Sequence, residues 1–343
     1  MARIAWGIMG DSRGHLTRAL ALLQEFPQHE FLFVGGGSAE ELRGLGLRVF
    51  SLPVPGTILS HGRVRGLATG VHFLRLLLRS PETLRGLRAA LEGFRPDLAV
   101  TDYEFFLPRA SRSLGLPCLS LDHQHVLTKC RQEPLPGQSL NRLATTASIR
   151  LLFSRASRYL VTSFFPAPPL GPDTEVLGPI LRRDVLALAP RSGGHVLAYL
   201  RTGLPRDLAG ALAATGREVR VYGLGALPAQ GPLRFLAGER AAFLEDLASC
   251  AFVLCNAGHN LASEALFLGK PVLAMPSAMF YEQYVNAWHL RGMGRGDFFI
   301  DPARAGEALA GFEKNLERFV AAGAQGMEPG NASAAAAVNR LLP

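Results

Sequence analysis

The chain has few cysteines and no long apolar segment. Four cysteines occur in 343 residues, without a CxxC pair or the spacing of a metal-ligand set, which argues against a disulfide scaffold or a zinc module. No apolar run approaches the roughly 18 residues that cross a bilayer, and the sequence opens on a strand-like segment without the features of a signal peptide. We therefore expect a cytoplasmic protein with reduced thiols and no transmembrane helix.

Lysine is almost absent, so arginine supplies nearly all of the positive charge. Only three of the 36 basic residues are lysines, and the net charge is +8. A basic surface attracts anionic partners. We find no helix-turn-helix, zinc-finger or aromatic–basic RNA motif, so nucleic acid is not an expected partner. A negatively charged small molecule and the anionic inner face of a membrane both fit the charge better.

Short apolar strands alternate with helix-like stretches along both halves of the chain. Buried parallel strands between crossover helices predict an α/β class with two doubly wound sheets. A proline-rich stretch, 164–180, separates the halves and is typical of a linker. We place the first domain at 1–177 and the second at 178–325, followed by an Ala-rich tail at 326–343.

The most informative stretch is 256–290. An apolar strand at 250–255 runs into a glycine-containing turn and then a helix. Such a unit directs backbone N–H groups and the positive end of a helix dipole at one point, which suits a phosphate. Glu264, one turn into the helix, is placed to accept hydrogen bonds from the hydroxyls of a ribose. In this order the parts predict a protein that holds a nucleoside diphosphate.

The same stretch resembles the donor-binding signature of inverting glycosyltransferases with the GT-B fold. The chain is most similar to small bacterial and archaeal homologues of the lipid II-forming N-acetylglucosaminyltransferase, and more broadly to the UDP-sugar transferase superfamily. The resemblance implies two Rossmann-like domains facing a cleft, with the tail either staying with the second domain or crossing back to the first. The matching residues, in register, are Gly258, Asn260, Glu264, Gly269, Lys270, Pro271, Pro276, Glu282 and Gln283.

The resemblance also implies roles for residues on the donor side. The turn of Gly258, His259 and Asn260 would hold the diphosphate and stabilise its growing charge as the sugar leaves. Glu264 would bind the ribose. Two departures are Leu261, where the plant enzymes have Ser, and His259, which replaces a Trp. The other donor-side candidates are Gly14, Thr202, Glu282, Gln283 and Phe235, the last of which also fits a simple core position.

Two residues of the first domain are candidates for catalysis. His15 follows a glycine-containing loop at the end of the first strand, and in the resembling families a histidine here is the general base. Asp102 ends an apolar strand, and the resemblance implies that it orients that base. A histidine that packs at a helix start and an aspartate that caps a helix explain the same two positions without catalysis.

A second polar cluster, Asp122, His123 and His125, follows the next strand. It competes with Asp102 for the same role or lines the acceptor pocket. The Asp-His-x-His spacing also suggests a metal, but no further ligand cluster is apparent and the resemblance implies no metal. We expect no cofactor, because the nucleotide-sugar, a UDP-sugar by resemblance, is a co-substrate.

The expected function is that of an inverting, metal-independent glycosyltransferase. It would move a sugar from a nucleoside-diphosphate-sugar to an acceptor hydroxyl. One alternative is a nucleotide-sugar epimerase or hydrolase on the same fold. The other is a non-catalytic protein that binds a nucleotide-sugar or a glycan.

The segment 62–95 interleaves seven arginines with leucines and predicts helices at 70–80 and 81–94. Phe73, Leu74, Leu77 and Leu78, flanked by Arg75 and Arg79, are expected to form an apolar strip on this segment. If the strip is exposed, it would make a peripheral contact with an anionic membrane, and this contact would suit a lipid-linked acceptor. An ordinary amphipathic helix packed on a core gives the same pattern.

Overall fold

A computed structural model describes residues 1–56, 59–60, 63–64, 66–201, 203–278, 280–323 and 326–343. The described chain divides into two compact units. The first unit contains Met1–Pro134, Arg142–Arg182 and Pro329–Pro343, and the second contains Leu135–Asn141 and Arg183–Glu328.

The first unit is built on a seven-stranded parallel sheet in the order β3-β2-β1-β6-β7-β8-β9. Its central strands are buried along nearly their whole length, because helices cover both faces of the sheet. A short antiparallel pair, β4 and β5, lies outside it. The strands are β1 (Arg3–Ile8), β2 (Glu30–Gly35), β3 (Val49–Ser51), β4 (Leu59–Ser60), β5 (Arg63–Val64), β6 (Leu98–Asp102), β7 (Cys118–Asp122), β8 (Arg158–Thr162) and β9 (Thr174–Leu177).

The second unit repeats the scheme with a six-stranded parallel sheet in the order β12-β11-β10-β13-β14-β15. Apolar side chains from these strands and the flanking helices form one core. The strands are β10 (Val196–Tyr199), β11 (Val219–Tyr222), β12 (Leu233–Phe235), β13 (Phe252–Cys255), β14 (Val272–Ala274) and β15 (Gly296–Phe298).

Helices connect the strands in both units. Short 3₁₀ turns lie at Gly37–Leu45 and Pro302–Arg304, and a π-helical turn lies at Ile149–Phe153. Within the described ranges, no helix combines the length and apolarity needed to cross a bilayer. The α-helices are α1 (Arg13–Leu23), α2 (Gly66–Phe94), α3 (Leu107–Ser113), α4 (Val126–Lys129), α5 (Ser139–Ser148), α6 (Arg183–Leu186), α7 (Arg206–Ala213), α8 (Arg240–Ser249), α9 (His259–Phe267), α10 (Tyr281–Gly292), α11 (Ala305–Lys314), α12 (Leu316–Gly323) and α13 (Asn331–Asn339).

Two elements differ from the sequence prediction. The helix α2 continues through Pro81, where we predicted two separate helices. Leu76 and Leu87, on either side of the proline, are both buried in one core, and their burial offsets the ~3 kcal/mol cost of an interior proline. The proline-rich stretch 164–180 contains β9, which pairs with β8, so the first unit extends to Arg182 instead of ending at 177.

The tail segment Pro329–Pro343 belongs to the first unit. Its helix α13 packs on α1, and Ala334 and Val338 share a core with Leu16 of α1. The Asn331 side chain holds the chain at this point, because its Oδ1 accepts from the Leu181 N–H at 2.9 Å and its Nδ2 donates to the Leu181 carbonyl at 2.8 Å.

Both sheets reverse their strand order at one place, between β1 and β6 in the first and between β10 and β13 in the second. In open parallel sheets, ligands bind outside the carboxyl ends of the strands at such switch points. The fold therefore directs attention to the segments that follow β1 and β6 in the first unit and β10 and β13 in the second.

Candidate functional site

The structure brings His15 and Asp102 into direct contact at the switch point of the first sheet. Asp102 is the last residue of β6 and pairs with Ile8, the last residue of β1. His15 lies in the first turn of α1, and its Nδ1 is 2.7 Å from Asp102 Oδ1. Both side chains are buried. An ionised carboxylate only accepts hydrogen bonds, so His15 donates from Nδ1, and in the neutral imidazole the lone pair lies on Nε2.

The loop between β1 and α1 lies close to the backbone at Gly36, which follows β2. A Cβ on Gly10 would lie 1.6 Å from the carbonyl oxygen of Gly36, so no side chain fits there. The Gly10 carbonyl accepts from Ser38 N–H, and Ser38 Oγ donates to the Ser12 carbonyl. These contacts fix the start of α1, and with it the direction of the His15 side chain.

Arg18 joins the pair from one turn further along α1. Its Nε donates to Asp102 Oδ2 at 2.8 Å and its Nη2 donates to Asp102 Oδ1 at 2.6 Å. The guanidinium is as buried as the carboxylate that it holds. Sequence analysis missed Arg18, although its spacing of three residues from His15 on one helix face was the available signal.

The pKa of His15 is raised above its ordinary value of 6.5. Burial alone would lower this pKa, since it penalises the imidazolium ion. The negative charge of Asp102 and the hydrogen bond to it act in the opposite direction and prevail. Arg18 lowers the pKa of His15 and Asp11 raises it. The contact with Asp102 thus favours the protonated imidazole.

Tyr103, directly after Asp102, has an unusual backbone and stacks against His15. Its φ is 57°, a left-handed conformation that costs a tyrosine on the order of 1 kcal/mol or more. Its ring is parallel to the His15 ring, with centroids 6.3 Å apart, and stacks on Phe153 with centroids 4.0 Å apart. The turn therefore aims Asp102 and the Tyr103 ring at the same imidazole.

Glu104 completes this turn and caps the next helix. Its carboxylate accepts from the backbone N–H groups of Phe106 and Leu107. Burial raises the pKa of Glu104 to about 7, against the opposing effect of these hydrogen bonds. Glu104, Gly10 and Gly36 also line a small surface indentation. The indentation lies within the first unit at the carboxyl ends of its strands.

The cluster Asp122, His123 and His125 is enclosed. Asp122 accepts from the His125 ring at 2.7 Å and from Ser120 Oγ at 2.6 Å, and His123 Nδ1 lies 2.7 Å from the carbonyl of Thr162. All three side chains are buried. Burial opposes ionisation, yet the contacts with His125 and Ser120 hold the pKa of Asp122 well below its usual range. These contacts hold the cluster within the fold of the first unit. That the cluster lines the acceptor pocket stays a prediction.

The predicted phosphate turn in the second unit begins where β13 ends. Ala257 has a φ of 57°, and Gly258 is the exposed N-cap of α9. Two asparagines hold the turn: Asn256 Nδ2 donates to the Met275 carbonyl, and Asn286 Nδ2 donates to the Ala257 carbonyl, both at 2.9 Å. The positive end of the α9 dipole therefore lies beside an exposed glycine, which suits an anion.

The other donor-side candidates differ in their surroundings. His259 and Glu264 are buried in α9, whereas Asn260 is partly exposed in its first turn. Glu282 and Gln283 lie in the first turn of α10, and Gln283 Oε1 accepts from the Ser277 N–H at 2.9 Å, so this side chain supports the loop after β14.

Three further candidates complete the set. Phe235 ends β12 and is packed into the core of the second unit, which favours the core interpretation over a contact with the base. Gly14 lies in the first turn of α1, beside His15. Thr202 lies outside the described residues. Among the residues that the structure does describe, no group of three or more His, Cys, Asp or Glu side chains is arranged to hold a metal ion.

Comparisons with known proteins agree on fold and family. The family model described as "Glycosyl transferase family 1" matches residues 2–315. No curated protein matches the chain in sequence.

Three solved glycosyltransferase-fold structures are similar over nearly the whole chain. The glycosyltransferase SnogD from Streptomyces nogalater is 19% identical, with 99% of this chain and 100% of that chain covered and a TM-score of 0.66. The spinosyn rhamnosyltransferase SpnG, complexed with thymidine diphosphate, is 17% identical over 99% and 100%, with a TM-score of 0.63. MurG of Acinetobacter baumannii is 13% identical over 99% and 100%, with a TM-score of 0.66. The predicted fold class, α/β with two Rossmann-like units as in GT-B structures, is confirmed.

Proposed function

Since the chain belongs to glycosyl transferase family 1, we propose that it transfers a sugar to an acceptor hydroxyl with inversion at the anomeric carbon and without a metal ion. The chain is a glycosyltransferase, and its family supports sugar transfer from a nucleotide-sugar. Inversion and metal independence are the parts that we add. The observation that carries inversion is the buried contact between His15 and Asp102 at a sheet switch point, and metal independence is supported by the exposed turn at the start of α9.

His15 is the general base of the proposed reaction. Its Nδ1–H is held by Asp102, so Nε2 takes the proton of the acceptor hydroxyl. The acceptor oxygen forms its bond to the anomeric carbon as the bond from that carbon to the phosphate oxygen breaks. The electron pair leaves with the nucleoside diphosphate. A single displacement of this kind inverts the configuration at the anomeric carbon, and Asp102 stabilises the imidazolium that forms.

The turn before α9 receives the leaving diphosphate. The helix dipole and the backbone at Gly258 supply positive potential where negative charge grows, and this is the role that a metal ion fills in other enzymes. Asn256 and Asn286 keep the turn in its strained shape before the donor binds. Glu264 binds the ribose, and Glu282 contacts the donor sugar. The expected donor is a UDP-sugar, with a dTDP-sugar as the competitor because SpnG was solved with thymidine diphosphate.

The acceptor binds to the first unit. Its hydroxyl lies beside the strand ends that carry His15 and Asp102, because Nε2 of His15 takes its proton.

Replacing Glu264 is expected to weaken nucleoside diphosphate binding. Isothermal titration calorimetry with UDP and dTDP, in EDTA, should show one of them binding to the unaltered protein. Glu264→Gln keeps the side-chain volume of this buried position and removes one charged acceptor, so the loss should be about 1–3 kcal/mol. Glu307→Gln, an exposed helical glutamate, is the matched control and should bind normally.

Two results would count against the proposal. Failure of the folded, unaltered protein to bind any nucleoside diphosphate would remove the donor site. Binding or transfer that required a divalent cation would remove metal independence. Equal affinities for the unaltered protein and Glu264→Gln would remove only Glu264 from the site.

A peripheral contact with an anionic membrane is part of the proposal. In α2, Leu74, Leu77 and Leu78 are 57%, 40% and 73% exposed, although Leu76 between them is buried. Phe73 is not part of the exposed strip, because it packs against the core of the first unit. Arg75 and Arg79 are exposed beside them. An apolar strip edged with guanidinium groups suits the boundary between lipid headgroups and acyl chains, and it would bring the protein to a lipid-linked acceptor.

Removing the strip is expected to release the protein from vesicles. The unaltered protein should sediment with vesicles that contain phosphatidylglycerol, and less so as salt is raised. The triple variant Leu74→Gln, Leu77→Gln, Leu78→Gln should bind at least about tenfold more weakly, because partial burial of three leucines is lost. Leu227→Gln, an exposed leucine of the second unit, is the control. Equal sedimentation of the triple variant and the unaltered protein would remove the strip from membrane binding.

A further inference from the structure

Three charged or titratable side chains meet in one buried cluster: His15, Arg18 and Asp102. Their side-chain exposures are 7%, 4% and 1%. The charges of Arg18 and Asp102 cancel. Protonation of His15 therefore turns a neutral buried cluster into a cationic one, which burial opposes.

A histidine paired with aspartate alone would behave differently. The negative charge of the aspartate would then act on the histidine without a counter-charge, so the protonated form would be more strongly favoured. An imidazolium has no lone pair at Nε2 and cannot accept a proton from an acceptor hydroxyl. The third partner therefore shifts the balance from the imidazolium toward the neutral base.

The geometry around Nδ1 shows how Arg18 acts. Arg18 Nη2 lies 3.2 Å from His15 Nδ1, while both groups point at Asp102 Oδ1, at 2.6 Å and 2.7 Å. Arginine only donates, and Nδ1 already donates to Asp102, so the 3.2 Å approach sets one donor beside another. This approach costs least when His15 is neutral and more when it carries a charge.

We propose that Arg18 is a positioning residue that limits the proton affinity of His15: its guanidinium fixes both oxygens of Asp102 and shares the charge that would otherwise hold a proton more tightly on the imidazole. The inference rests on the proposed role of His15 as general base. It adds a reason why contact with a buried carboxylate does not raise the proton affinity of His15 further.

Other described groups also act on His15. Asp11, in the loop before α1, raises the pKa of His15 and so opposes Arg18. Tyr103 covers one face of the ring. Asp102 lies on the neighbouring strand. Arg18 is the group whose positive charge lowers the pKa of His15.

The test compares three arginine variants by the titration of His15, followed by NMR of the imidazole nitrogens, with the His15 signals assigned by their loss in His15→Asn. Arg18→Met removes the charge and keeps most of the volume. Arg18→Lys keeps the charge and loses the two-pronged contact. Arg13→Met removes an exposed arginine of the same helix and is the control.

In Arg18→Met the titration midpoint of His15 should rise by about one pH unit or more, a tenfold change in proton affinity. Transfer at pH 7 should fall about tenfold and recover as the pH is raised above the new midpoint. In Arg18→Lys the midpoint should stay within about half a unit while kcat falls at every pH, because charge is kept and orientation is lost. Arg13→Met should match the unaltered protein.

An unchanged midpoint in folded Arg18→Met would overturn the proposal. If that variant does not fold, a normal rate in Arg18→Lys at every pH would overturn it instead. The titration needs no substrate, so it gives an answer even if the protein shows no transfer, and a failure of the proposed function is thereby distinguished from a failure of the role of Arg18.

Discussion

Replacing His15 by alanine should lower the rate of sugar transfer by about 10²- to 10⁴-fold, the usual contribution of a general base. Affinity for the nucleoside diphosphate should hardly change, because His15 lies in the first unit and the donor turn lies in the second. His15→Asn should give the same loss with less effect on folding, since its amide can still donate to Asp102. Single-turnover transfer and calorimetric binding of the nucleotide measure the two quantities separately.

The pH profile supplies a second check on His15. Because its pKa is raised above 6.5, the rate in the unaltered protein should rise with pH through a midpoint above that value. The same shift stabilises the fold at low pH, and this stabilisation is lost as the pH rises through the pKa of the folded state. His29→Ala, outside the cluster, should leave the profile unchanged. Full activity in His15→Ala would end the proposal of a histidine base.

Replacing Asp102 by alanine should have the largest effect on stability. Asp102 neutralises Arg18 in a buried site, and its loss leaves a guanidinium that is only 4% exposed without its carboxylate. Breaking a buried pair from one side costs about 3–5 kcal/mol. Urea denaturation of the protein should show this loss of stability. Sugar transfer should also be lost, because His15 no longer has an acceptor for its Nδ1–H.

A double variant separates charge from packing. Asp102→Leu combined with Arg18→Met removes both charges and keeps apolar volume, so it should recover most of the stability and none of the activity. Asp97→Ala is the control for a strand-end aspartate. Asp97 is exposed and accepts from the Arg3 N–H, so its loss should cost less than about 1.5 kcal/mol. If Asp102→Ala lost only a small part of the free energy of unfolding, water would have to reach Arg18.

The sequence predicted the fold well because its signals were local. Parallel buried strands read as continuous apolar runs, and the turn at 256–260 combines a strand end, a glycine and a helix start within a few residues. The resemblance paired His15 with Asp102, and the sheet brings them within 2.7 Å. Their catalytic roles stay predictions, as do those of the donor-side residues.

What the sequence did not predict depends on the direction of side chains after packing. Arg18 has a spacing that also suits a solvent-facing helix residue, and only the position of α1 on the sheet turns it toward Asp102. The left-handed backbone at Tyr103 has no signal, since the residue is not glycine or asparagine. The strand β9 was hidden by the prolines around it, and Phe235 at a strand end could not be distinguished from a ligand contact by pattern alone.

The return of Pro329–Pro343 to the first unit also bears on how the protein is made. Domains generally fold in order as a chain leaves the ribosome. Here α1, which carries His15, packs on α13, so the part of its core that Ala334, Ala337 and Val338 fill stays open while the intervening second unit is being synthesised. The second unit, nearly continuous in the chain, can complete its core first. The helix that carries His15 and Arg18 therefore gains its last apolar contacts only after residues 329–343 have emerged.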